Sequence, residues 1–131
     1  MCRTFAVTSV SDDQQRAWEL VSGALDFAVS QVRPGLKTRD LHRQVQEYLD
    51  QWDLVRGSFF HHTGHGVGMH GHERPRIHGG SDHTFKAGQI IVMEPGVYSN
   101  HLQGGIRLEN VFLVRDDGVE NLCSFPLALK Q

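Results

Sequence analysis

The chain has 131 residues, of which 39% are hydrophobic and 21% charged, with a formal net charge of −2; this composition is typical of one ordinary globular domain. The near-neutral balance gives no electrostatic argument for nucleic acid or an anionic membrane surface, and no run approaches the roughly 18 apolar residues of a membrane helix. The two cysteines, Cys2 and Cys123, have neither zinc-site spacing nor the density of a disulfide framework, so a reducing, cytoplasmic setting is expected.

The first half of the chain predicts two helices. Ser11 and Gln14 have the spacing of a capping box, and apolar residues then recur at helical spacing. Pro34-Gly35 ends this helix. Thr38 is predicted to cap a second helix, which ends before Gly57.

The remainder of the chain is predicted to form strands and loops. Alternating or continuous apolar runs cover residues 3–8, 58–62, 89–94, 106–115 and 119–123. Asp117-Gly118 is a hairpin signal between the last two of these. Two helices followed by an antiparallel sheet indicate an α+β fold.

A histidine-rich segment and two later carboxylates indicate a metal site. Seven of the nine histidines lie between His61 and His83, among glycines. Glu94 and Glu109 each sit in an apolar run, where a buried carboxylate needs a compensating arginine or metal cation. Arg107 could compensate one glutamate, so a buried Arg–Glu pair is the alternative to a metal, and the nearby histidines favour the metal.

Within the histidine-rich segment, His61, His65 and His72 are the candidate functional residues. Glycines at positions 64, 66 and 68 leave little side-chain bulk around His65, so its ring can approach a ligand closely. The alternative is a flexible surface loop that binds metals adventitiously, which does not explain the flanking apolar residues. The remaining histidines of the segment are assigned surface or structural roles: His62, His70, His78 and His83.

Three motifs in order carry a family resemblance. Residues 61–75 read His-x-x-Gly-His-Gly-Val-Gly-x-x-x-His-Glu-x-Pro, and residues 93–98 and 105–110 read Met-Glu-Pro-Gly-Val-Tyr and Gly-Ile-Arg-Leu-Glu-Asn. They resemble the motifs of the pita-bread metallopeptidases, which include the methionine aminopeptidases, aminopeptidase P and prolidase (Xaa-Pro dipeptidase). The Pro-Gly-Val-Tyr segment after Glu94 resembles the Xaa-Pro-cleaving branch more closely than the methionine aminopeptidases. The resemblance covers essentially the whole chain and implies the C-terminal half of a pita-bread fold.

The resemblance also implies an activity and a set of residue roles. The activity is that of a metal-dependent exopeptidase of the Xaa-Pro aminopeptidase or dipeptidase type, in which a metal-activated water hydrolyses the peptide bond. Imidazole and carboxylate ligands suit Mn, Co, Zn or Fe(II), and the usual choice in this branch is manganese or cobalt, with two ions in the complete site. The implied roles are metal ligation by His65, Glu94 and Glu109, oxyanion binding by His72, and substrate placement by His61. Proton transfer falls to Glu94, with Glu109 as the alternative, and Arg107 supports the carboxylates.

The chain departs from the family pattern at its start. The family uses five protein ligands, and the first two are aspartates that precede the histidine; this chain begins directly after the expected place of the second. We therefore expect residues 1–131 to be a single, truncated catalytic domain that lacks its N-terminal half. Such a fragment is expected to bind one metal ion weakly or none and to have little activity.

Two alternative functions and several partners follow from the same reasoning. The alternatives are a catalytically dead pita-bread binding module and a creatinase-like non-metal hydrolase, and retention of His65, Glu94 and Glu109 argues against the second. The implied substrate is a peptide with proline at the second position, without nucleic acid or membrane partners. A face left by a missing half predicts a homodimer.

Overall fold

The computed structural model describes residues 1–130, which form two α-helices and seven strands. The helices are α1 (Asp12–Gln31) and α2 (Thr38–Leu49), and short 3-10 turns cover Asp53–Val55 and Asn100–Leu102. The strands are β1 (Gly64–Gly66), β2 (Glu73–Ile77), β3 (Ile90–Met93), β4 (Gly96–Ser99), β5 (Gly104–Arg107), β6 (Asn110–Val114) and β7 (Val119–Asn121). The α+β class is as predicted.

The start of α1 is confirmed and the predicted cap of α2 is wrong. Ser11 Oγ accepts a hydrogen bond from the Gln14 backbone N–H, and the Gln14 side chain accepts one from the Ser11 N–H. Thr38 is instead the first residue of α2, whose N-cap is Lys37 without a side-chain hydrogen bond. The Thr38 hydroxyl donates to Ser81 Oγ at 2.9 Å, so it ties the helix to the segment after β2 rather than to its own backbone.

The strands form two antiparallel sheets. The larger has the order β2-β1-β3-β6-β7, and the smaller pairs β4 with β5. β1 lies between β2 and β3, so that His65 is paired with Arg76 on one side and with Val92 on the other. The Asp117-Gly118 turn joins β6 to β7, as its hairpin signal predicted.

The predicted strand over residues 106–115 is wrong as a single element. It is divided between β5 and β6, which belong to different sheets. The division falls next to Glu109, whose backbone pairs with Cys2 through N···O distances of 3.2 and 3.0 Å. Glu109 therefore lies between the two sheets, outside the strands of both.

Two other predicted strands are also wrong, because an apolar pattern alone does not supply a hydrogen-bonding neighbour. Residues 3–8 contain no strand and make only isolated backbone contacts, such as Ala6 N–H to the Leu129 carbonyl at 2.7 Å. Residues 58–62 are irregular, and the strand begins two residues later, at Gly64. Conversely, β2 and β4 were not predicted from the sequence, because β2 contains Pro75 and β4 directly follows Pro95.

One continuous apolar core joins the helices to the strands. α1 and α2 contact each other, α2 contacts β2, and α1 contacts β4 and β5. Within the described residues, neither helix combines the length and apolar character of a membrane-spanning segment. The largest fully buried apolar side chains are Leu25, Leu41, Leu49, Ile77, Phe85, Ile91, Met93, Leu108 and Phe112.

Candidate metal centre

The larger sheet brings His65 and Glu94 together. His65 is the central residue of β1, and Glu94 directly follows β3, the neighbouring strand. The Glu94 backbone N–H donates to the Thr63 carbonyl at 2.8 Å, which fixes the two chain segments side by side. His65 Nε2 consequently lies 3.5 Å from Glu94 Oε1, and both residues are buried.

The orientation of the His65 ring suits a metal ligand. His65 Nδ1 lies 2.9 Å from the Gly66 carbonyl oxygen, to which it can only donate. That hydrogen bond places the proton on Nδ1 and leaves the Nε2 lone pair directed towards Glu94. A backbone carbonyl behind the imidazole is the usual arrangement that orients a ligating histidine.

Glu94 is fully buried, and its two oxygens face different neighbours. The guanidinium of Arg107 contacts Oε2, so the Arg–Glu pair that the sequence offered as an alternative is present. Oε1 faces the imidazoles of His62 and His65. The ion pair therefore occupies one oxygen of this carboxylate and leaves the other available to a cation.

Glu109 lies near the same guanidinium nitrogen of Arg107 that contacts Glu94. Its Oε2 is 3.8 Å from an Arg107 Nη, and its Oε1 is 3.0 Å from the α-amino group of Met1. The Glu109 side chain is 16% exposed. The structure thus links the three predicted ligands through Arg107 rather than through direct contact of Glu109 with His65.

His62 belongs to the cluster, although sequence reasoning gave it a surface or structural role. Its Nδ1 lies 3.0 Å from Glu94 Oε1. Among the described residues, the one group of histidine, cysteine and acidic side chains whose ligand atoms all lie within 4.8 Å of one another is His62, His72 and Glu94. The His61-His62 pair was the only sequence signal, and it does not reveal which of two adjacent side chains turns inward.

His72 reaches the cluster from the loop before β2. Its ring centroid lies 4.1 Å from that of His65 and 5.8 Å from that of His62. His72 is exposed, whereas His65 is buried. His72 also borders an open groove of about 600 Å³, whose other lining residues are Glu73, Arg74, Arg76 and His83.

His61 is held beside the cluster by its own partners. Its Nδ1 donates to the His62 carbonyl at 2.8 Å, so its Nε2 accepts from the Tyr98 hydroxyl at 3.0 Å. Both ring nitrogens are therefore engaged, which suits a positioning role better than metal ligation. His78 Nδ1 and His83 Nδ1 accept backbone N–H groups of Gly80 and Arg76, as expected for structural histidines.

Burial favours the neutral form of three imidazoles, those of His61, His62 and His65. Desolvation lowers the pKa of His61, His62 and His65 below the ordinary value of 6.5, and it lowers that of His62 to about 4. Neighbouring charges, including the other histidines, add to the effect at His62. Neutral imidazoles offer their lone pairs to a metal without first losing a proton.

Gly64 and Gly66 are fixed by the strands around His65. A Cβ at Gly64 would overlap the Val92 carbonyl oxygen, and one at Gly66 would overlap the Arg74 carbonyl oxygen. The glycines therefore allow β2 and β3 to approach β1 closely, in addition to leaving space near the His65 ring.

Comparison with known proteins gives a consistent family and fold. The model of metallopeptidase family M24 matches residues 1–116. The chain is 35% identical over 121 residues to an Xaa-Pro dipeptidase of Pyrococcus furiosus, a match that covers 92% of this chain and 34% of that protein. The chain spans about a third of the length of the curated relatives that it matches.

Solved structures agree with this assignment. The prolidase of Pyrococcus horikoshii OT3 superposes with a TM-score of 0.90 at 30% identity, over 97% of this chain and 36% of that one. The Xaa-Pro dipeptidase of Bacillus anthracis gives the same TM-score at 30% identity, over 98% and 36%. The predicted pita-bread architecture, in the form of its C-terminal half, is confirmed. With the family model covering most of its length, the chain belongs to metallopeptidase family M24.

Proposed function

We propose that the chain contributes the histidine and glutamate ligands of a metal-dependent peptidase site that hydrolyses Xaa-Pro bonds. The observation that carries this proposal is the approach of His65 Nε2 to Glu94 Oε1, at 3.5 Å in a buried position, with the other nitrogen of His65 held by a backbone carbonyl. The names of the relatives, Xaa-Pro dipeptidase and prolidase, support the substrate class.

The residues present fit a divalent cation. Oε1 of Glu94 is buried without a hydrogen-bond partner within residues 1–130, and burial favours the neutral form of the His62 and His65 imidazoles beside it. His65, Glu94 and Glu109 would hold the metal, which would supply Lewis-acid activation of water and of the scissile carbonyl. Manganese or cobalt is the proposed metal, and the mixed nitrogen and oxygen donors also suit zinc or Fe(II).

The other residues of the site take the remaining steps. His72, exposed at the edge of the cluster, donates a hydrogen bond to the oxyanion that forms as water adds to the carbonyl. Glu94 accepts the proton of that water and returns it to the leaving amine. His61, fixed by the Tyr98 hydroxyl, positions the substrate. Arg107 contacts Glu94 and Glu109 and compensates the part of their negative charge that the cation does not.

The groove beside His72 supports a short peptide substrate. Arg74 and Arg76 line it together with His83, so a free carboxylate of a small peptide would meet positive charge there. A dipeptide with a C-terminal proline would place its carboxylate in this groove, beside His72 of the cluster. Association of the chain with a second copy of itself stays a prediction.

The activity of the chain alone is proposed to be weak. Two adjacent cations repel each other and need several anionic ligands, whereas the predicted set supplies two carboxylates, both already paired with Arg107. Calorimetric titration with Mn²⁺, with hydrolysis of Ala-Pro measured alongside, tests this. We expect at most one weakly bound ion, and slow hydrolysis that His65→Asn abolishes and His70→Asn leaves unchanged.

Each contrary result identifies a different alternative. Tight binding of two ions with rapid turnover would contradict weak activity of the chain alone. Hydrolysis that persists in the presence of a chelator would favour the creatinase-like alternative. Binding of Mn²⁺ without any hydrolysis would favour the binding module.

A further inference from the structure

His62 makes a contact that the proposed peptidase site does not use. Its Nδ1 lies 3.0 Å from Glu94 Oε1, a separation that would suit a hydrogen bond. Both atoms are buried, and neither has a hydrogen-bond partner within residues 1–130. A buried nitrogen and a buried carboxylate oxygen without hydrogen bonds are costly, and a cation between them would remove that cost.

The spacing of the cluster matches the ligand shell of a small cation. Ligand atoms held about 2.0–2.1 Å from a tetrahedral zinc ion lie about 3.3 Å from one another. His62 Nδ1 and Glu94 Oε1 are 3.0 Å apart, and the ligand atom of His72 lies within 4.8 Å of both. His72 must move closer to the other two ligand atoms for all three to bind one ion. Because His72 is exposed on a loop, this requires movement of a surface side chain rather than of the sheet.

We propose that His62, His72 and Glu94 form a single-ion Zn²⁺ site, distinct from the predicted set of His65, Glu94 and Glu109. Two imidazoles and one carboxylate are a known zinc ligand set, and they leave a fourth position open to water or another small ligand. The two sites share Glu94, and because Arg107 contacts Oε2, the two ions compete for the one free oxygen, Oε1. This inference does not depend on the proposed peptidase activity.

The donor atoms favour zinc over manganese. Nitrogen-rich sites bind Zn²⁺ more tightly than Mn²⁺, which prefers octahedral oxygen ligands. The contact of Arg107 with Oε2 restricts Glu94 to one coordinating oxygen, and a single oxygen with two nitrogens suits a tetrahedral shell. Glu109 is not part of this cluster, whose ligand atoms come from His62, His72 and Glu94.

Titration of the metal-free chain with Zn²⁺ tests the proposal. We expect one Zn²⁺ per chain, and a loss of affinity of more than about a hundredfold in His62→Asn and in His72→Asn, because even residues behind the ligands typically contribute about 10–100-fold. His70→Asn is the matched control, since His70 is exposed on the same loop outside the cluster. Bound Co²⁺ should give the visible absorption that indicates tetrahedral coordination. This absorption should be absent in the same two variants.

The outcomes separate this proposal from the peptidase assignment. Glu109→Gln should weaken Mn²⁺ binding and leave Zn²⁺ affinity within about threefold, because Glu109 belongs only to the peptidase set. Equal Zn²⁺ affinity in His62→Asn and the unaltered chain, or an equal loss in His70→Asn, would overturn the zinc site. Circular dichroism verifies that each variant is folded. If His62→Asn is unfolded, the Zn²⁺ affinity of His72→Asn, which alters an exposed loop, decides whether the zinc site exists.

Discussion

The side chain of Glu94 is completely buried and depends on different neighbours at its two oxygens. Arg107 supplies the positive charge at Oε2, while Oε1 meets only neutral imidazoles. A buried carboxylate without a counter-charge is strongly destabilising, so Arg107 should matter more to folding than its partial exposure suggests.

Replacement of Arg107 tests this dependence. We expect Arg107→Met to lower the free energy of unfolding by about 2–3 kcal/mol in chelator-treated samples, below the usual cost of about 3–5 kcal/mol because the guanidinium is partly exposed. Adding Glu94→Gln should recover most of the loss, since an amide needs no counter-charge. Arg115→Met removes an exposed ion pair with Glu120 and should change stability by less than about 1 kcal/mol. Equal losses in the two single arginine variants, measured by urea denaturation, would refute the argument.

Strand β1 places His65 in the site, and its glycines let the neighbouring strands approach. Because β1 lies between β2 and β3, it has no free side towards which it could move. Gly64→Ala should therefore destabilise the chain by about 1–3 kcal/mol or more, since the new methyl group would overlap the Val92 carbonyl oxygen. Gly71→Ala is the matched control, because a methyl group at that position would meet nothing within 4 Å beyond its chain neighbours. Denaturant midpoints that shift equally would contradict this account.

Local sequence signals predicted the elements whose causes are local. The Ser11–Gln14 capping box gave the start of α1, and the Asp117-Gly118 turn gave the last hairpin. Strand limits were predicted less well, because they depend on partners distant in sequence: the pairing of Glu109 with Cys2 interrupts the run over residues 106–115.

The candidate site shows the same division between local and distant causes. The motifs identified His65, Glu94 and Arg107, which the structure brings together. The inward turn of His62 could not be predicted, because it follows from the irregular backbone before β1 and from the position of Glu94 after β3. The apolar run over residues 58–62 predicted a strand there and gave no sign of this irregular backbone.

At the scale of the whole molecule, a further, partly buried histidine couples stability to pH. His42 on α2 places its Nδ1 2.9 Å from Thr63 Oγ1, next to the segment that leads into β1. Burial lowers the pKa of His42 below its ordinary value of 6.5, and the nearby His78 and His61 lower it further. The helical layer and the sheet are thus joined through an imidazole that is more easily protonated in the unfolded chain.

Stability should therefore fall as the solution becomes acidic. Since the folded-state pKa of His42 lies below 6.5, the unfolded chain binds the proton first, and stability present above pH 6.5 is lost as the pH falls through the folded-state pKa. Urea denaturation between about pH 7.5 and about pH 4.5, in the presence of a chelator, should show this loss. His42→Gln should make the pH dependence shallower, whereas His101→Gln, at an exposed position, should leave it unchanged. A slope that is identical in His42→Gln and the unaltered chain would show that the coupling lies elsewhere.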